Sequence, residues 1–112
     1  TVIYSPDATK IATGGDDENA VKIWDGKTGE LLNTLKHDFI VRSLVWTSDG
    51  KKLISGSYDP IRIYDTATWQ EIANLGGRTL LVNAITLSQN DRLLCASDHK
   101  TVRLWNIDTN LQ

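Results

Sequence analysis

The sequence predicts an all-β chain assembled from three copies of one four-stranded unit, and three observations predict it. First, Val21-Lys22-Ile23-Trp24-Asp25 returns as Ile61-Arg62-Ile63-Tyr64-Asp65 and again as Val102-Arg103-Leu104-Trp105-Asn106, with the aromatic positions 40 and then 41 residues apart. Second, each copy is a short run of β-branched and aromatic residues with one cation in a fixed place, which favours strand over helix. Third, turn-forming residues recur about every eight to twelve residues, the spacing of short antiparallel strands. A fixed period in the range of roughly 20–50 residues marks a repeat architecture, in which no unit buries its own apolar face.

The first strand of the unit is apolar and runs into a turn. Thr1-Val2-Ile3-Tyr4-Ser5-Pro6-Asp7 corresponds to Ser43-Leu44-Val45-Trp46-Thr47-Ser48-Asp49 and to Ala84-Ile85-Thr86-Leu87-Ser88-Gln89-Asn90. Pro6-Asp7, Asp49-Gly50 and Asn90-Asp91 bend the backbone cheaply. The second strand is Ile11-Ala12-Thr13-Gly14, matched by Leu53-Ile54-Ser55-Gly56 and Leu94-Cys95-Ala96-Ser97. A polar turn of variable length (Asp16 to Ala20, Tyr58 to Pro60, Asp98 to Thr101) leads to the third strand, and length changes of this kind belong in loops. After a further turn come Glu30-Leu31-Leu32-Asn33-Thr34-Leu35 and Gln70-Glu71-Ile72-Ala73-Asn74-Leu75. Leu31, Leu32 and Leu35 also suit one helical face. A fourth strand is the expectation because the rest of the unit is strand and two uncapped helical turns are marginal.

Four short antiparallel strands per unit at this period is the sequence form of a β-propeller blade. Three blades are expected, in repeats of about 1–36, 37–77 and 78–112, the third lacking most of its outer strand. Ser-Pro-Asp before the second strand, Gly-Gly-Asp-Asp or Gly-Ser-Tyr-Asp after it, and Val-Lys-Ile-Trp-Asp beyond resemble the WD-repeat family over essentially the whole chain. The resemblance implies a network bracing each blade, made by a His before the first strand, a Ser or Thr in the second, an Asp in the next turn and a Trp in the third. Here the network is incomplete. The first repeat has Thr13, Asp17 and Trp24; the second has His37, Ser55 and Asp59, with Tyr64 for the Trp; the third has Trp105, with Arg78 and Ala96 at two other sites and His99 near the Asp position. The third blade is therefore expected to be the loosest, since unmet buried polar groups each forfeit roughly 1–3 kcal/mol.

Composition excludes several functions. The net charge of −2 supplies no long-range attraction to nucleic acid or an anionic membrane surface. No apolar run approaches membrane-spanning length and no signal-peptide pattern is present. The single Cys95, read as a small buried thiol, cannot form an internal disulfide and suits a reducing compartment, cytoplasmic or nuclear. Two His and one Cys leave a structural zinc site short of ligands, and Asp16, Asp17 and Glu18 read as a solvated turn rather than a calcium loop. Asp98-His99 has no nucleophile in a recognisable setting, so neither catalysis nor a cofactor is expected.

Roughly four to eight blades close a propeller ring, so three leave apolar faces on both flanks. The chain begins at Thr1 within a first strand and stops at Leu111-Gln112, which gives two expectations. These residues are a segment of a longer propeller, or two copies pair to complete a six-bladed ring. The family resemblance implies peptide or protein binding on the rim formed by the connections between units and the second-to-third turns. On this chain that rim comprises Asp38, Phe39 and Arg42, then Arg78, Thr79, Leu80 and Asn83, with Asp16, Tyr58 and His99 from the turns. Trp69, whose counterpart is Gly29, is expected to be exposed and available as a partner anchor. Two alternatives remain: phosphoinositide binding, for which Arg42, Arg78 and Arg92 are isolated rather than paired, and a fragment that only completes a ring.

Overall fold

The computed structural model describes residues 1–15, 19–37, 40–57, 61–75, 82–97 and 101–107. The described residues form strands and turns, with no α-helix, and so none long and apolar enough to cross a membrane. The first sheet is β1 (Val2–Tyr4), β2 (Lys10–Gly14), β3 (Ala20–Asp25) and β4 (Leu31–Lys36), hydrogen-bonded in that order. The second repeats it with β5 (Ser43–Trp46), β6 (Lys52–Gly56), β7 (Ile61–Asp65) and β8 (Glu71–Leu75). The third contains β9 (Ala84–Leu87), β10 (Leu93–Ser97) and β11 (Val102–Asn106); the positions where a fourth strand would follow lie outside the described residues. All pairings are antiparallel.

The sheets stack face to face, and strand alternation assigns each side chain to a neighbour. On the second sheet Leu44, Trp46, Leu53 and Tyr64 point one way, joining Ala12, Val21, Ile23 and Leu35 of the first sheet in one apolar cluster. Ile54, Ile61, Ile63 and Leu75 point the other way, against Ile85, Leu94, Ala96 and Trp105 of the third. Glycine makes the stacking close at one repeated position. A Cβ on Gly14 would stand 2.9 Å from the Val41 Cβ, and one on Gly56 would stand 2.8 Å from Val82 Cγ1, so each glycine receives the valine that leads into the next sheet.

The fourth strands are strands, not helices, and a bulge explains their ambiguous sequence pattern. In the first sheet the register runs from Ile23–Asn33 to Trp24–Leu31, leaving Leu32 as an extra residue. In the second it runs from Ile63–Ala73 to Tyr64–Glu71, leaving Ile72. An unpaired residue breaks the two-residue alternation and turns its side chain outward, and Leu32 and Ile72 are both exposed. Cys95 departs from expectation: it is half-buried rather than buried. It pairs with Leu104 on the third sheet's outer face, which the second sheet does not cover.

Candidate partner-binding rim

Antiparallel order divides the turns between two edges. The β1–β2 and β3–β4 turns share one edge with their counterparts, and the β2–β3 turns share the other with the sheet-to-sheet connections. The carboxylates and hydroxyls of the first edge are engaged in its own hydrogen bonds, beside a recess of about 310 Å³ lined by Thr47, Asp49, Lys52, Asn90, Asp91, Arg92 and Ile107. Asp7 Oδ1 accepts from the Thr9 amide at 3.0 Å, the Thr9 hydroxyl at 2.7 Å and the Ser5 hydroxyl at 2.8 Å. These donors hold the Asp7 carboxyl down at about 2, the Thr9 amide contributing most. Asp49 is likewise lowered, chiefly by the Thr47 hydroxyl and then by the Lys51 amide. Asp25 is lowered by the amides of Thr28 and Lys27. Between sheets, Ser48 donates its amide (2.9 Å) and its hydroxyl to the Asp91 carboxylate.

The second edge presents side chains instead. Val41 and Val82 are buried over the two glycines, and the residues that follow them, Arg42 and Asn83, are exposed at equivalent places. The main chain of each is fixed: the Arg42 amide donates to the Gly56 carbonyl at 2.9 Å and the Asn83 amide to the Ser97 carbonyl at 2.8 Å. Ser57, buried, donates its hydroxyl to the Ile40 carbonyl, and its own carbonyl accepts from the Val82 amide, so one residue ties the two sheet-to-sheet connections together. Thr1, Gly14, Gly15, Ile40, Val41, Arg42 and Asn83 line one recess of about 440 Å³.

The structure thus brings Arg42 and Asn83 together. Asp38, Phe39, Arg78, Thr79, Leu80, Asp16, Tyr58 and His99 lie outside the described residues. Trp69 does not join them, and its expected exposure is corrected. It sits in the β7–β8 turn at the opposite edge, half-buried, its ring 6.1 Å from Trp46 and near-perpendicular to it. Its φ of +58 is a backbone conformation uncommon for a bulky side chain, and Gly29 adopts the same region (φ +75) at the equivalent place. Packing against Trp46 holds it there. Trp46 Nε1 is buried without a hydrogen-bond partner among the described residues. The lining residues missed from sequence are Thr1, Gly14, Gly15, Ile40 and Val41. The 41-residue interval linking the pairs Val41-Arg42 and Val82-Asn83 was the available signal.

The bracing network is present in parts. Trp24 Nε1 donates to Thr13 Oγ1 at 2.9 Å in the first sheet. In the second, His37 Nδ1 lies 3.0 Å from the Leu35 carbonyl, which can only accept, so in the neutral ring Nε2 is the acceptor. It serves Ser55 Oγ at 2.8 Å and the Tyr64 hydroxyl at 3.4 Å. Burial pushes the Tyr64 phenol up, keeping it a donor. The His37 amide also donates to the Asn19 carbonyl, so this residue links the first two sheets. In the third, Ala96 pairs with Arg103 where Thr13 pairs with Lys22 and Ser55 with Arg62, and it offers no hydroxyl.

Stacked, glycine-spaced sheets of this order are the blades of a partial β-propeller. The family profile for the WD domain, G-beta repeat, matches residues 1–25, 29–60 and 69–106. The chain belongs to the WD-repeat family. It is similar to the serine-threonine kinase receptor-associated protein of Gallus gallus, at 39% identity over 92% of this chain and 30% of that protein. It is also similar to the WD repeat-containing protein WDS homolog of Arabidopsis thaliana (31% identity, 99% of this chain, 22% of the relative). A third relative is the nuclear distribution protein nudF of Aspergillus flavus (33%, 96% and 25%). The chain therefore spans less than a third of the length of each of these relatives.

Proposed function

We propose that the chain is a non-catalytic protein-interaction scaffold that receives a peptide or protein on the edge carrying Arg42 and Asn83. The observation that carries this reading is the contrast between edges. At one, carboxylates and hydroxyls are engaged with their own turns and with the adjoining sheet; at the other, Arg42 and Asn83 stand exposed on a fixed backbone around a single recess. A connection whose backbone is already fixed spares a partner the cost of ordering it, leaving only the side chains to be immobilised. The names of the relatives, one of them receptor-associated, agree with association as the activity.

The same reading has further blades, from a longer chain or a second copy, covering the free faces of the first and third sheets. Val2 is 69% exposed where its counterpart Leu44 is 6% exposed beneath the first sheet. Alanine at Arg42 and Asn83 tests the edge assignment against alanine at Lys27 and Thr28 of the opposite edge, with affinity for a co-purifying protein as readout. Loss from the first pair alone is expected; loss from the second pair alone overturns the assignment.

A further inference from the structure

The recess beside Arg42 has a chemistry that selects its occupant. Its described lining offers a guanidinium, a carboxamide and a hydroxyl, from Arg42, Asn83 and Thr1, between the apolar Ile40 and Val41 and the bare backbone of Gly14 and Gly15; no carboxylate is among these residues. The side chains of Arg42 and Asn83 are both exposed, and Arg42 forms no ion pair among the described residues. A guanidinium presents five N–H donors in a planar fork and no acceptor. An occupant rich in acceptors is therefore favoured over a neutral or cationic one, and a carboxylate or phosphate matches the fork with two parallel hydrogen bonds.

We propose that this recess is a seat for one anionic group of a bound peptide, a carboxylate or a phosphate, held by the Arg42 guanidinium and the Asn83 carboxamide. The proposal rests on the reading of this edge as the contact surface and names the chemistry received there. Three features shape it. Val41 and Val82, locked over Gly14 and Gly56, fix the backbone from which the two donor side chains project, so their points of attachment are set before the ligand arrives. Gly15 leaves the wall open: a Cβ added there meets nothing within 4 Å. Finally, Asp16, Asp17 and Glu18 follow Gly15 directly in the sequence. They contribute to a net charge of −2, which disfavours an extended polyanion such as nucleic acid.

The test uses the 112-residue chain, acetylated at Thr1 so that no terminal ammonium adds a cation to the recess, and side-chain NMR signals of Arg42 and Asn83. The probes are acetyl-Ala-Glu-Ala-amide, its phosphoserine counterpart and its glutamine counterpart. The glutamate and phosphoserine peptides are expected to shift both signals saturably, each at least about tenfold more tightly than the glutamine peptide, and less so as salt rises. Preference between the two anionic probes identifies carboxylate or phosphate as the better occupant. Arg42→Gln, and Gly15→Glu, which places a carboxylate on the open wall, are each expected to weaken the anionic peptides about tenfold.

Equal binding of the glutamate and glutamine peptides overturns the anion seat, and that comparison needs no variant to fold. Retention of anionic binding by Arg42→Gln overturns it as well. Neutral peptides binding at Arg42 and Asn83 would leave the edge assignment standing while removing the anion seat. Partner loss confined to Lys27 and Thr28 substitutions would instead remove the edge assignment itself.

Discussion

The second and third sheets are built from the same repeat, and the difference between them isolates what neighbours contribute. In the second sheet β6 and β7 are apolar on both faces, and Leu53, Ile54, Ile61 and Ile63 are all buried. In the third sheet β10 and β11 alternate: Leu94, Ala96 and Trp105 are buried against the second sheet, while Leu93, Val102 and Leu104 are exposed. Val102 and Leu104 occupy the positions of Ile61 and Ile63. Nothing in their own chemistry makes them surface residues. A propeller blade is dry only where another blade lies on it, so burial here is a property of the stack and not of the strand.

The largest expected effect comes from truncating equivalent residues in the two sheets. Ile63→Ala removes a side chain that is 2% exposed and should cost about 2–5 kcal/mol in urea denaturation. Leu104→Ala, at a position 54% exposed, should cost less than about 1 kcal/mol. Equal costs would break the comparison and indicate that the third sheet's outer face is covered in solution.

A smaller effect is expected at the glycine that admits the next sheet. Gly56→Ala puts a Cβ 2.8 Å from Val82 Cγ1 and 3.2 Å from Ile85 Cγ2. Overpacking at such a site costs about 1–3 kcal/mol. Ser97 stands at the same place in the third sheet and already carries a Cβ. Ser97→Gly should change stability by no more than about 1 kcal/mol, the cost of glycine in a strand. A third-sheet penalty as large as the Gly56→Ala penalty would contradict this account of the glycines.

The two sheets also show why some features were legible in the sequence and others were not. The strand positions were legible because the apolar periodicity and turn residues of one unit are checked by two further copies: β1 to β3, β5 to β7 and β9 to β11 fall where the three-fold alignment puts them. The fourth strands were harder because the extra residues Leu32 and Ile72 break alternation, and a bulge in a short strand looks locally like helical spacing. Trp69 was misplaced for a different reason. Its position in the turn was readable, but its contact with Trp46 comes from a residue more than twenty positions away, which no local pattern reports. At the candidate site Arg42 and Asn83 were legible as connection residues, while the recess depends on Gly14 and Gly15 of the first sheet. The Ser48–Asp91 clamp was invisible in the same way, since it exists only once two sheets have stacked.

Hydrogen exchange sharpens the comparison at the level of local opening. The second sheet has the His37–Ser55 bond and two covering neighbours, and the third has Ala96 in place of the hydroxyl and one neighbour. Amides of Cys95 and Leu104 should exchange at least about tenfold faster than those of Ile54 and Ile63, in line with lower local stability where fewer apolar contacts are buried. Ser55→Ala, which leaves His37 Nε2 with the longer Tyr64 contact, should cost about 1–2 kcal/mol and narrow that gap.

The smallest expected difference is one of pH. The first turn of each sheet is held by one side-chain oxygen, on Asp7, Asp49 and Asn90 respectively, accepting from a hydroxyl and an amide. The two aspartates have lowered pKa values in the fold, Asp7 falling from 3.8 to about 2. A carboxyl lowered on folding adds stability that is present above its unfolded value and disappears as the pH falls toward the folded one. The first and second turns should therefore weaken between about pH 4 and pH 2, while the third, built on a neutral carboxamide, should not. Amide shifts of Thr9, Lys51 and Arg92 followed down that range check it, in an Asp91→Asn chain so that no carboxylate adjoins Arg92: the first two should titrate, with Thr9 near pH 2, and Arg92 should stay flat until global unfolding. If Arg92 moved with them, the turns would be responding to loss of the whole stack, and the difference between an aspartate and an asparagine at this position would carry no local consequence.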